Sequence, residues 1–568
     1  MNAAFQPRDL FSKHRERFDR AQLACAERHH WSPFSEAPAT YPNADEARKA
    51  GLQAFNALQD AVFEIDQPGI EGLSGSEQSP YTRKLLGIRY PKSALGPLFD
   101  AAECAMDGWS RACPESRLGV LLEVIDRIYS QHVFTLSYAV MHATGQSFNM
   151  SYTGSGVNAL DRGLEALVYA YQAMKAVTLR ADWTRQFGSS TVALEKTYRL
   201  VPKGVAVCFA CASFPTWNAL PSMMASLATG NPVIVKAHPA TILPMALVVR
   251  IFRQCIADAG FDPNLVTLAL DTPDAPIGKE IIKHPKTAIV DFTGSVGFGR
   301  WVETNAHPAI SYTETAGCNT VVLAEVQDLD GVLRSLATTL CMFSAQMCTS
   351  PQNIYVPRAG VSTPDGLVPV EVIGRKLADA ITAIAQNPKR AGMILACIQS
   401  EETLGLLRDM RNTGSKVGKV LLQSGPYVHP EFPEARTATP LMLQVTPSER
   451  ELYSAERFGP VSFLITCDSA DDALNRATAD VRECGGLTAF LYALDEDFIQ
   501  RAERKYARAG AQLTINLTGP MPLNFAAAYS DYHVTGLNPA GNASLTDSSF
   551  IAGRFRIAQS RRPYGTSL

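Results

Sequence analysis

The sequence predicts an α/β protein organised around a doubly wound, largely parallel sheet, and three observations carry that prediction. Between Gly204 and Phe292, short apolar runs alternate with longer runs of helical character. Those apolar runs are nearly continuous, as strands buried on both faces must be. The last of them, Thr287 to Phe292, passes into a glycine-rich turn, Gly294-Ser295-Val296-Gly297-Phe298-Gly299. Strand–helix alternation with right-handed crossovers builds a nucleotide-binding type of sheet, with ligands at the carboxyl ends of its strands.

The first hundred residues read as helical and peripheral. Ala44 to Phe63 carries an apolar stripe at helical spacing beside a charged face. His29 and His30 read as surface or capping histidines, because no second ligand cluster lies near them. Pro114 to Gln146 follows as helix: Pro114 and Glu115 suit a first turn, and Leu118, Leu121, Leu122, Ile125 and Ile128 recur at helical period. Val157 to Val177 is a second long helix. Strands are then expected at Gly204–Ala210, Asn231–Lys236, Leu265–Leu270 and Thr287–Phe292. Between them come helices at Phe214–Thr229, Thr241–Gly260 and Ile277–Lys283, with Thr241 suited to an N-cap. A second α/β run begins at Asn319 (Thr320–Ala324, Val332–Met342, Gln352–Val356, Val372–Gln386) and ends near Tyr492. Asp182 to Arg199 and the tail beyond Gln512 read as β-prone pieces outside both sheets, a flap that bridges subunits. The resulting division is a helical N-terminal extension (1–110), a nucleotide-binding domain (111–318, flap strands about 182–200), a catalytic domain (319–511) and a C-terminal return and oligomerisation segment (512–568).

Composition narrows the function classes. A chain of 568 residues exceeds what one core usually fills, so several domains are expected. No apolar run reaches the roughly 18 to 20 residues of a membrane span. The N-terminus lacks the apolar core of a secretory signal. A formal net charge of −3 without a basic block argues against nucleic acid as a partner. Twelve cysteines without a framework spacing suit reduced thiols in a cytoplasm.

Cys348 is the candidate nucleophile. A buried packing role is the default for any one of twelve cysteines, but small and polar neighbours (Ser344, Ala345, Gln346, Thr349, Ser350) leave room for a substrate, and a strand follows. A cysteine attacks as thiolate, which a helix N-terminus or a nearby base favours. Glu314, among Thr313, Thr315, Ala316 and Gly317, has no basic neighbour in sequence and could serve as base for a water; a solvated loop glutamate is the plainer reading. Backbone N–H groups of the Gly294–Gly299 turn could hold a pyrophosphate, though glycine turns are common and the spacing is not G-x-G-x-x-G. Cys208 and Cys211 have CxxC spacing without a second pair, so no metal is expected.

Together these pieces resemble the aldehyde dehydrogenase superfamily, over about Pro114 to Asn516. The family's turn is Phe292-Thr-Gly-Ser-Val-Gly-Phe-Gly299, its glutamate motif Glu314-Thr-Ala-Gly317 and its cysteine motif Ala345-Gln-Met-Cys348. Its strand lysine is Lys236 in Ala228-Thr-Gly-Asn-Pro-Val-Ile-Val-Lys236, and Glu456-Arg-Phe-Gly-Pro-Val461 completes the set. The resemblance implies a Rossmann-type cofactor domain, an α/β catalytic domain and a small β flap that builds a homodimer or homotetramer. It implies that Cys348 attacks an aldehyde and that Glu314 activates the water that hydrolyses the thioester. Gly294, Ser295 and Gly299 would approach the pyrophosphate, Lys236 and Glu456 the ribose hydroxyls, and Phe458 would pack near the nicotinamide.

Two departures stand out. Ser213 occupies the place of the family's oxyanion asparagine, leaving its hydroxyl, the Cys348 amide or Asn218 as the oxyanion donor. Pro239 stands where NAD-preferring members have a ribose-binding glutamate, so Lys236 and His238 could meet a 2′-phosphate; NADP is the expected cofactor and NAD the alternative. Trp31-Ser-Pro-Phe-Ser-Glu36, Ser213-Phe-Pro-Thr-Trp-Asn218, Tyr312-Thr-Glu-Thr-Ala-Gly317 and Gln346-Met-Cys-Thr-Ser-Pro-Gln-Asn353 resemble the branch that acts in phenylacetate degradation. This implies a CoA-linked semialdehyde substrate, oxidised to 3-oxo-5,6-dehydrosuberyl-CoA. The stretch beyond Asn516 is too short for the ring-opening hydratase domain of related bifunctional proteins, so another protein is expected to supply that step. The alternatives are another aliphatic or aromatic aldehyde, or a non-catalytic binding protein, which absence of Cys348 or Glu314 would favour.

Overall fold

The computed structural model describes residues 7–315, 317–533 and 548–563. Ala316, in the glutamate motif, and parts of the C-terminal segment therefore lie outside the described residues. A hairpin comes first among the long strands, β1 (Arg180–Phe187) and β2 (Ser190–Pro202), paired antiparallel. Its turn uses Gly188 at φ 59°, a left-handed conformation that glycine adopts without steric cost. Next come β3 (Val205–Phe209), β4 (Val233–Lys236), β5 (Val266–Ala269), β6 (Thr287–Gly294) and β7 (Ile310–Thr315). They form a parallel sheet in the order β5-β4-β3-β6-β7.

The sheet is buried on both faces, as its unbroken apolar runs require. Val205, Val207 and Phe209 face Leu98, Phe99, Ile281 and Val302. Ala206 and Cys208 belong to the opposite core with Met223, Met224, Leu227 and Val248. Each fully buried aliphatic side chain contributes about 1.5 to 3 kcal/mol, so these two layers hold the sheet in place. Strand order reverses between β3 and β6, and at such a switch point the diverging connections leave a crevice beyond the strand ends.

A second sheet contains β8 (Thr320–Leu323), β9 (Asn353–Pro357), β10 (Lys419–Leu422), β11 (Leu441–Val445), β12 (Val461–Cys467), β13 (Thr488–Tyr492) and β14 (Gln512–Ile515). Its order is β10-β11-β12-β9-β8-β13-β14, with β10 antiparallel to β11 and the remaining neighbours parallel. Finally β15 (Phe555–Pro563) returns to pair with β2, from Phe555 opposite Pro202 to Pro563 opposite Leu194.

Three expectations change. The first hundred residues hold helices at Arg15–Glu27, Ala44–Leu58 and Leu95–Arg111 but also an antiparallel pair, Ile70–Ser74 with Tyr90–Ser93. Ile70–Ser74 is mostly exposed, so it carries no buried periodicity to read. Gln512–Ile515 is not flap: it is the edge strand of the second sheet, where Leu513 and Ile515 pack against the core. The flap's third strand comes from the far end of the chain instead. Pro114 to Gln146 is interrupted by a π-helical turn at Ile128–His132. His29 and His30 are exposed, near Glu27 and Glu36 at 3.1 and 3.2 Å.

Candidate active site

The backbone that delivers Cys348 is strained. Helix Leu329–Cys341 ends, and Phe343, Ser344 and Ala345 follow with φ of 47°, 49° and 51°. Each left-handed non-glycine residue costs roughly 1 to 2 kcal/mol, so the surroundings must hold the turn. Ser344 Oγ donates to Leu395 O at 2.9 Å. Gln346 Nε2 donates to Cys397 O at 2.9 Å, and its Oε1 accepts from Gln399 N at 2.9 Å. Beyond the cysteine, Asn319 Nδ2 donates to Cys348 O at 2.7 Å and Ser350 O at 2.8 Å. Its Oδ1 accepts from Leu487 N and Thr488 N at 2.8 and 3.0 Å. One buried amide thus locks the nucleophile loop to the second sheet.

Cys348 lies where two cavities meet. The larger, about 710 Å³, opens at the carboxyl ends of β3, β4 and β6, at the switch point. The smaller, about 330 Å³, lies on the other side of the thiol and is walled by Met150, Phe214, Trp217, Met347 and Phe525. Glu314, at the end of β7, is fully buried, with a carboxylate oxygen within 4.8 Å of Cys348 Sγ. Burial raises the Cys348 pKa well above its usual value, and the charges of Glu314 and Cys211 raise it further. The resting thiol is therefore protonated, with the carboxylate positioned to receive its proton. His533, from the C-terminal segment, meets Glu314: Nε2 and Oε1 are 2.8 Å apart. Cys348 Sγ, a Glu314 carboxylate oxygen and a His533 ring nitrogen all lie within 4.8 Å of one another.

Ser213 and Asn218, the two side-chain candidates for stabilising an oxyanion, are both at the site. Ser213 lines the larger cavity; Asn218 lines both. Asn218 Nδ2 donates to Cys211 Sγ at 3.1 Å, and its Oδ1 has no partner among the described residues. Asn218 thus borders Cys348 from both cavities.

On the other wall of the larger cavity stand Lys236, His238, Gly294, Ser295, Glu456 and Phe458. Gly299 does not line it: within helix Val296–Asn305, a side chain there would collide with the Thr315 methyl, so this glycine serves helix–strand packing. Gly294 and Ser295 line the cavity and lead into the N-terminus of that helix, whose first N–H groups have no intrahelical partner. Burial raises the Glu456 carboxyl to about 8. Its loop is held by Gln352, whose Oε1 accepts from Arg457 N at 2.7 Å while Nε2 donates to Tyr453 O at 3.0 Å.

Asp271 is a wall residue that sequence reasoning passed over. It follows β5, and its Oδ1 lies 2.6 Å from Lys236 Nζ. His238 is exposed at the mouth, and its Nδ1 accepts from Ala240 N at 3.2 Å, a lone pair that protonation would remove. Asp271, Asn319 and His533 carried no local motif, and Gln352 entered only within the run Gln346–Asn353; a lone polar residue just past an apolar strand was the remaining signal, and it fits Asp271 alone.

The family model described as the aldehyde dehydrogenase family matches residues 90–524. This chain belongs to the aldehyde dehydrogenase family. It is an oxidoreductase of that fold. A crystal structure of an NAD-dependent aldehyde dehydrogenase from Burkholderia multivorans is 40% identical, with a TM-score of 0.93 over 98% of this chain and 99% of that one. The 1-pyrroline-5-carboxylate dehydrogenase of Bacillus pumilus is 23% identical over 553 residues, 92% of this chain and 96% of that protein. The 4-trimethylaminobutyraldehyde dehydrogenase B of Danio rerio is 25% identical over 412 residues, 71% and 73% of the two chains. Among the described residues, no helix of this aldehyde dehydrogenase is long and apolar enough to cross a membrane.

Proposed function

We propose that the chain oxidises an aldehyde to a carboxylic acid, with Cys348 as nucleophile and Glu314 as base. The observation that carries this reading is Cys348 at the junction of two cavities, with a buried carboxylate oxygen within 4.8 Å of its sulfur. The Cys348 thiol passes its proton to Glu314 and Sγ bonds to the aldehyde carbon as a thiohemiacetal, with Asn218, Ser213 or the Cys348 amide donating to the oxyanion. Oxidation gives the thioester, and Glu314 releases the first proton to solvent; it then takes a proton from water as the carbon–oxygen bond forms, and returns it to the sulfur as the carbon–sulfur bond breaks.

The larger cavity fits a nicotinamide dinucleotide: it lies at the switch point, and a helix N-terminus opens onto it through Gly294 and Ser295. When bound, that group accepts the hydrogen and two electrons that leave the aldehyde carbon. Lys236 and Glu456 would meet ribose hydroxyls, and Phe458 would pack beside the ring. We favour NAD over NADP. The expectation of NADP rested on Lys236 and His238, but Asp271 offsets the charge of Lys236, and His238 Nδ1 is occupied by the Ala240 N–H. A 2′-phosphate would meet the Asp271 carboxylate; Lys279, against the Trp301 ring at 5.4 Å, is the remaining lysine on the wall. The 40% identical Burkholderia protein is described as NAD-dependent.

For the substrate, the smaller cavity supplies the support. Its described lining contains no lysine, arginine, aspartate or glutamate, so it suits an uncharged apolar chain next to the carbonyl. The semialdehyde derived from the CoA-linked oxepin of phenylacetate degradation has such an end, with coenzyme A left outside the channel. The same walls favour a second reading, a free neutral aliphatic or aromatic aldehyde. The deciding experiment is NAD and NADP reduction with CoA-linked and free aldehydes side by side. A kcat/KM higher for the CoA semialdehyde supports the first reading; turnover confined to free aldehydes removes it and keeps the second.

A further inference from the structure

We propose that His533 is a positioning residue for this reaction: it orients the Glu314 carboxylate for thioester hydrolysis and shares the proton that carboxylate collects. The inference rests on the cysteine–glutamate reading above. In the ionised form that a general base requires, a carboxylate only accepts hydrogen bonds, and in that form the 2.8 Å contact has His533 Nε2 donating to Oε1. Glu314 Oε2 has no partner among the described residues, and both side chains are buried, at 0% and 3% exposure. One oxygen is therefore clamped, and the other remains available to a water at the Cys348 thioester. Without the clamp, a lone carboxylate beside a buried thiol could rotate either oxygen toward it.

The surroundings are built to keep His533 there. Trp217 packs edge-on against its ring, with centroids 4.8 Å apart. The segment leading to it is docked by Arg162, itself 1% exposed, which donates to Asp531 O at 2.9 Å and Ala526 O at 3.2 Å. Tyr529 OH donates to Asp161 Oδ1 at 3.0 Å. Trp31 and Arg28, from the N-terminal extension, hold Tyr529 from the other side, by ring contact at 5.2 Å and a 3.1 Å hydrogen bond to its carbonyl. Two distant parts of the chain thus converge to place one imidazole on the general base. In the hydrolytic step, water adds to the thioester carbon, its proton goes to Oε2, and the bond to Sγ breaks. The His533–Glu314 pair then returns that proton to the departing thiolate, so atoms and charge balance: thioester and water become acid and thiol.

The test compares wild type with His533→Ala and His533→Gln, which keeps an amide donor. A neutral aldehyde and NAD are mixed rapidly with each enzyme, and the acyl-enzyme is followed in acid-quenched samples by intact mass. His533→Ala should keep a burst of reduced cofactor of about one per site, lose steady-state kcat about tenfold or more, and accumulate the Cys348 acyl adduct. His533→Gln should restore most of the loss. Unchanged kcat in His533→Ala, or equal losses of burst and turnover in both variants, would overturn the proposal. A wild type that turns over no aldehyde would overturn both this and the function it rests on.

Discussion

Asn319 holds the carbonyl of Cys348 at 2.7 Å, while its Oδ1 accepts two backbone N–H groups of the Leu487–Thr488 turn. All four bonds of this amide serve backbone, so the nucleophile loop is registered against β13. Asn319→Ala would leave buried backbone groups unpaired, each costing about 1 to 3 kcal/mol. The expected result is a lower thermal midpoint together with a fall in kcat of about tenfold or more, because a misplaced thiol loses near-attack geometry. Both are read from a melting curve and initial rates.

Lys236 and Asp271 set the charge that a bound dinucleotide meets. Asp271→Asn removes the carboxylate that would repel a 2′-phosphate and frees Lys236 to bind one. The NADP-to-NAD ratio of kcat/KM should rise by about tenfold or more, about 1.4 kcal/mol of discrimination. Lys279→Ala in that background identifies whether the second lysine contributes. An unchanged ratio in Asp271→Asn would remove Asp271 from the specificity argument.

Burial, and next the charge of Glu314, favour the protonated form of the Cys348 thiol. Glu314→Gln removes one of the charges that raise the Cys348 pKa, so more thiolate exists at a given pH. Iodoacetamide should label Cys348 faster in the variant than in wild type at pH 8, while steady-state oxidation falls about 100-fold or more. The opposite signs separate the electrostatic from the catalytic role of one carboxylate.

Glu456 makes stability pH-dependent in the direction of a raised acid. Its folded pKa, about 8, lies above the ordinary 4.5, so the folded state holds the proton more tightly. Its contribution is fully present below about pH 4.5 and is lost as pH rises toward 8. Glu456→Gln removes that loss. The variant should gain thermal midpoint over wild type at pH 8.5 and gain less at pH 5. A difference independent of pH would show that the Glu456 carboxyl is not perturbed.

Much of the fold was legible because buried parallel strands announce themselves in short windows. Val205–Phe209 and Val233–Lys236 are apolar at nearly every position, and the Gly294–Gly299 turn follows its strand directly. Cys348 and Glu314 were legible from small neighbours and family motifs. The rest depends on contacts across long sequence separation. His533 and Asn319 carry no periodicity, and their roles exist only after the C-terminal segment and β13 have docked. Gln512–Ile515 looked like flap because a short, half-buried edge strand has little apolar content to distinguish it. Gly299 looked like a phosphate glycine, yet its missing side chain makes room for Thr315.

The most direct test of the account is cofactor reduction by wild type and Cys348→Ala with the same aldehyde and NAD. The account predicts turnover by wild type and a loss of at least about 1000-fold in a folded Cys348→Ala. Comparable turnover in the variant, or none in wild type with any aldehyde, would contradict it.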